Sequence, residues 1–88
     1  MSTFTKDPDA TLDFKIDWSA WLGSDTISTS AWVVPAGIDQ DSAGNDTTTA
    51  TIWLSGGTVG RSYSIVNRIT TAAGRINDRT IVIKVREQ

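Results

Sequence analysis

The residues best suited to chemistry in this chain are its aspartates. Asp39, Asp41, Gly44 and Asp46 set alternate carboxylates around a glycine, the pattern by which a calcium loop converges oxygens on a hard cation. The pattern fails where it matters, because Ala43 stands at the fifth loop position and Ala50 at the twelfth, where a bidentate glutamate closes such a site. A solvated acidic turn is expected there, and no metal. Asp7 with Asp9, and Asp13 with Asp17, are carboxylate pairs of the kind that divide acid and base roles on a glycosidic bond. Ten acids in 88 residues supply such pairs by composition alone. Serines and threonines abound, but the chain has no histidine to activate one and no cysteine. The commonest neutral-pH base, the commonest metal ligand and the thiol nucleophile are therefore all missing. The expectation is a protein without catalytic residues, metal or cofactor.

The other conspicuous side chains are four tryptophans, at 18, 21, 32 and 53. Trp18 and Trp21 sit three apart in DWSAWLG, where two indoles would plug a core, line a sugar platform or anchor a subunit. Trp18 continues the apolar series of Leu12, Phe14 and Ile16 and is expected in the core. Trp21 lies past it, in a turn that would fold it over the sandwich end. Trp53 stands between Ile52 and Leu54, so if those two point inward its indole is exposed or in an interface.

These side chains need a scaffold, and the scaffold reads as β. Leu12, Phe14, Ile16 and Trp18 alternate with Asp13, Lys15 and Asp17, the period of a strand with one buried face. Residues 26–34 form a second β-prone segment, with Trp32 and Val34 on one face, and Pro35 ends it. Residues 36–46 read as a turn-rich connection, and residues 47–55 resume β character before Gly56 and Gly57. Residues 61–71 align Tyr63, Ile65 and Ile69, with Asn67 among them, where a buried amide requires hydrogen bonds to backbone or a bulge. Residues 80–85 align Ile81, Ile83 and Val85, and AAGRIND between these segments suits a hairpin loop. No stretch has a helical period. The reading is an all-β, immunoglobulin-like sandwich of about five to seven short antiparallel strands, with residues 1–10 as an arm or irregular first strand and 11–88 as one domain. Tyr63, after the glycine-rich corner SGGTVG, is placed to bond its hydroxyl back to nearby backbone.

Charge is unevenly spread. Residues 1–46 carry two bases and eight acids, and residues 47–88 carry six bases and two acids, within a net charge of -2. An acidic balance argues against nucleic acid as partner, because that needs a clustered basic footprint. No apolar run approaches bilayer length, and the start MSTFTKDPDA has acids where a signal peptide would be apolar. Synthesis in the cytoplasm, with no membrane partner, is expected. Strands of the two halves interleaving in space would cancel the asymmetry, and segregation would leave a dipole.

KDPDATLDFKIDWSAWLGSDTI at 6–27, WLSGGTVGRSY at 53–63 and NRITTAAGRINDRTIVIKVRE at 67–87 together resemble small tailed-bacteriophage proteins described as fiber-tail adaptors. The resemblance covers most of the chain and is weakest across 28–52. It implies a virion structural protein, made in the bacterial host cytoplasm and located in the tail. Several copies, expected as a ring, would join tail to receptor-binding fiber subunits. It brings no catalytic residue and no cofactor. Asp7, Asp9, Trp53, Arg75, Asp78 and Arg79 are the candidate interface residues. Capsid cement, head-tail completion and carbohydrate binding are the competing roles for the same sandwich.

Overall fold

Alternation in LDFKID becomes strand β2 (Leu12–Asp17), with Phe14 and Ile16 buried and Asp13, Lys15 and Asp17 in solvent. The computed structural model describes residues 2–87, in which β1 (Ser2–Lys6) precedes that strand. After it come a single helical turn α1 (Ser19–Leu22), β3 (Ile27–Val33), β4 (Ile38–Asn45), β5 (Thr49–Gly56), β6 (Ser62–Thr71) and β7 (Ile76–Val85). One sheet has the order β1-β7-β6-β3 and the other β2-β5-β4. Their inner faces enclose a core built from Ile52 and Leu54 of β5, Ile65 and Ile69 of β6, and Ile81, Ile83 and Val85 of β7. Burying each such side chain stabilises the fold by about 1.5–3 kcal/mol.

The immunoglobulin-like sandwich expected from the sequence is the observed architecture, with one ladder of a different kind. β1 runs parallel to β7, Ser2 opposite Ile81 and Lys6 opposite Val85, while the other four ladders are antiparallel. A parallel pair between the first and last strands needs no tight turn, since the rest of the domain is the crossover.

Three local expectations are corrected. The connection at 36–46 contains β4, which pairs along β5 with a register shift between Gln40 and Ser42. Only Ile38 of that strand is buried, so as a sheet edge it is held by backbone bonds and needs no alternating pattern. The loop at 72–78 is shorter than expected: Thr71 N–H donates to Arg75 C=O at 2.8 Å, and Asn77 and Asp78 belong to β7. Leu12, read as inward, opens β2 and is 39% exposed.

The corner after β5 depends on glycine. Gly57 has φ +96°, and a Cβ there would lie 2.6 Å from Cγ2 of buried Val85. Tyr63 closes the same corner by accepting the Thr58 N–H on its hydroxyl at 3.0 Å. Lys6 joins the sheets nearby. Its side chain is fully buried, and Nζ donates to the carbonyls of Asp7 and Gly56, each at 2.8 Å. Burial lowers the Lys6 pKa, and Asp7, Asp41 and Asp9 partly oppose that shift.

Candidate interaction surface

The two tryptophan-bearing and arginine-bearing motifs meet at one end of the sandwich. α1 turns the chain immediately after β2, so Trp18 drops into the core with no exposure while Trp21 lies over it, ring centroids 5.6 Å apart and nearly edge-on. On β7 the period of two puts Arg79 on the inward side with Ile81, and Arg75 on the same side just before the strand. The Arg75 guanidinium lies 4.3 Å from the Trp21 ring and the Arg79 guanidinium 4.3 Å from the Trp18 ring. Arg75 also donates to Asp25 (3.1 Å) and to Leu22 C=O (3.0 Å), and Arg79 donates to Asp17 C=O (3.0 Å).

Asp25 is the hub of that end. It accepts the N–H groups of Thr26 and Ala73 besides the Arg75 bond. Its pKa falls to about 2, chiefly through the hydrogen bond from the Thr71 side chain, with Thr26, Arg75 and Ala73 adding to it against the opposing effect of burial. Buried Asn67 accepts the Trp18 indole N–H at 3.0 Å and donates to Ser30 Oγ (2.8 Å) and Ala31 C=O (3.0 Å). The amide therefore has its partners, as a buried amide requires.

These contacts change the meaning of the arginines. Of the candidate interface residues Arg75, Asp78 and Arg79, the last two are strand residues, and Asp78 is paired with Arg68 at 2.7 Å on the outer face of the four-stranded sheet. Arg75 and Arg79 cap tryptophans of their own chain. Asp7 and Asp9 form the turn after β1, where Asp9 N–H donates to Asp7 Oδ1 at 2.9 Å. Sequence periodicity counted back from Ile81 through Arg79 and Asn77 to Arg75 is the signal that puts both arginines on the tryptophan side of the strand.

Trp53 stands elsewhere. Ile52 and Leu54 are buried, so it projects from the central strand of the three-stranded sheet, 42% exposed, opposite Asp13 of β2 and Ser42 of β4. The two sheets also differ in charge. β2, β4 and β5 carry four acids (Asp13, Asp17, Asp39, Asp41) and one base (Lys15), whereas β1, β3, β6 and β7 carry four bases (Lys6, Arg68, Arg79, Lys84) and one acid (Asp78). Strands of the two halves do interleave, yet β5 and β3 have no charged residue and the asymmetry survives. The acidic sheet presents a lone indole. On the four-stranded sheet Lys6 is buried and Arg79 lies over Trp18, and the outer side presents Val33 and Ile76, each 64% exposed.

Among the described residues no group of three or more acids, cysteines or histidines could hold a metal, and no helix is long and apolar enough to cross a membrane. The calcium-like aspartates lie along β4 and its following turn. Asp46 there accepts the N–H groups of Thr48 and Thr49, which lower its pKa and give it a structural role.

Comparison with known proteins gives two findings. Residues 6–84 match the family model described as podophage GP4 fiber-tail adaptor protein gp77. The solution structure of the PKD domain from KIAA 1837 protein superposes with a TM-score of 0.59 at 19% identity, covering 99% of this chain and 80% of that one. That likeness concerns the fold alone. No curated protein matches.

Proposed function

Because the chain belongs to the gp77 family of podophage fiber-tail adaptors, we propose that it joins the phage tail to its receptor-binding fibers as a multi-copy, non-enzymatic adaptor. The family match over residues 6–84 is the observation that carries this reading. An adaptor must hold two different partners at once, and the two outer faces are unlike: one carries Trp53 opposite Asp13, the other Val33, Ile76 and the Arg68–Asp78 pair. Two unlike faces also suit head-to-tail contact between copies, which closes into a ring when the rotation permits. On the acidic face Trp53 is the anchor, since an indole on a strand, ringed by small and polar neighbours, is the kind of residue that dominates binding energy. Nucleic acid and membrane have no part in this role.

The reading is tested by particles assembled without this chain. Tails that form but carry no fibers are the expected product. Complete fibers on such tails would refute it, and a loss confined to the capsid would move the protein to a cement role.

A further inference from the structure

The outward side chains of β3, β6 and β7 alternate with buried Ile65, Asn67 and Ile69 and stand in cross-strand rows. Ala31, Arg68 and Asp78 form the middle row. Thr29, Thr70 and Ile76 lie on one side of it, and Val33, Val66 and Thr80 on the other. Arg68 holds Asp78 by two bonds, Nε to Oδ1 at 2.7 Å and Nη2 to Oδ2 at 3.0 Å. Among the described strand residues, Lys84 is the one other charge on that outer side. The three-stranded sheet is built differently, since its outer side carries Asp13, Asp17 and Asp39 against Lys15. Set against its own copy, that acidic face would meet like charge. The β-branched face would not.

We propose that two copies of this chain pair through the outer face of the four-stranded sheet, about a twofold axis running along the strands between β6 and β7. That line is the midline of the order β1-β7-β6-β3, so β6 lies over the partner's β7 and β3 over the partner's β1. A twofold contact demands a surface that complements itself. This one does, because the axis sets Arg68 against the partner's Asp78 and Asp78 against the partner's Arg68. Each ion then has two opposite neighbours, and a charge already matched in its own chain is covered at less cost than a lone one. Val66 meets the partner's Thr80 and Ile76 the partner's Thr70, β-branched side chains that pack as two stacked sheets do. The ten residues of β6 or β7 extend about 33 Å, and four strands span about 19 Å. With two corners of that rectangle empty, the pair covers about 900 Å² in total, the range of weak complexes. The pair therefore comes apart on dilution. Both Trp53 faces stay outermost, available to unlike partners, and a ring of copies is then built from such pairs.

The test is sedimentation equilibrium of the isolated protein from about 10 μM to about 1 mM. Wild type is expected to pass from monomer to dimer and stop there. Monomer throughout overturns the proposal, and so does growth past the dimer, the mark of head-to-tail contact. Arg68→Asp leaves two acids at the central positions and Asp78→Arg leaves two bases, so each variant alone sets like charges across the axis. Alone, each should dimerise at least tenfold more weakly than wild type. Mixed in equal amounts they should recover, because acids then face bases at both positions. No recovery from two folded variants overturns the pairing. Should either variant not fold by circular dichroism, Ile76→Glu decides, since that side chain stands outside the core. Dimerisation at least tenfold weaker supports the proposal, and unchanged dimerisation overturns it. Trp53→Ala should dimerise like wild type, and a loss there would move the contact to the other sheet and overturn the stated face. None of this uses the adaptor reading: a protein that dimerises as stated but is missing from the tail would sink that reading alone.

Discussion

The Trp18 indole N–H donates to Asn67 Oδ1 at 3.0 Å, linking the end of β2 in one sheet to β6 in the other across 49 residues of sequence. Both side chains are fully buried. Asn67→Leu should cost about 2–4 kcal/mol, because it orphans the indole N–H as well as removing two donated bonds. Adding Trp18→Phe should recover part of that loss. A double-mutant cycle by urea denaturation is expected to give a coupling of about 1–2 kcal/mol, and additive effects would remove the pair from the account.

Arg79→Ser should lower stability by about 1–2 kcal/mol through loss of the stacking on Trp18 and the bond to Asp17 C=O. Tryptophan fluorescence should shift with it. An Arg79→Ser protein as stable as wild type but unable to enter the particle would return this residue to the interface.

Asp25 makes stability depend on acid. Its folded pKa lies below the ordinary 3.8, at about 2, so the folded state favours the carboxylate. That contribution is complete above about pH 4, and it is lost as pH falls through the folded value near 2. Asp25→Asn should flatten the fall in urea midpoint between those limits while lowering stability at neutral pH. An unchanged acid slope in the variant would show that other carboxylates set it.

Trp53→Ala should leave the thermal midpoint within about 2 °C of wild type, since the indole stands outside the core. Incorporation into the particle should fall at least tenfold if the acidic face is a binding face. Saturable quenching of wild-type fluorescence by an oligosaccharide, abolished in the variant, would instead favour a carbohydrate platform.

Much of this structure was legible from local pattern. Phe14 and Ile16 in β2, Tyr63 and Ile65 in β6 and Ile81 and Ile83 in β7 each repeat at two, and the buried amide of Asn67 announced its need for partners. β4 was not legible, because an edge strand with a single buried residue, Ile38, carries no periodic signal. The contacts of Arg75 and Arg79 were hidden for a different reason. Their charge suggests solvent, whereas their planar heads lie over indoles supplied by a motif more than 50 residues away. The cost of exposing the arginine stem and the gain over the ring are tertiary effects, invisible until β7 is set against α1.

The measurement closest to the central claim is cryo-electron microscopy of the intact particle. The account predicts density for this sandwich between tail and fiber, in several copies, with the face bearing Trp53 against one partner. Density on the capsid surface, or none in the particle, would contradict it.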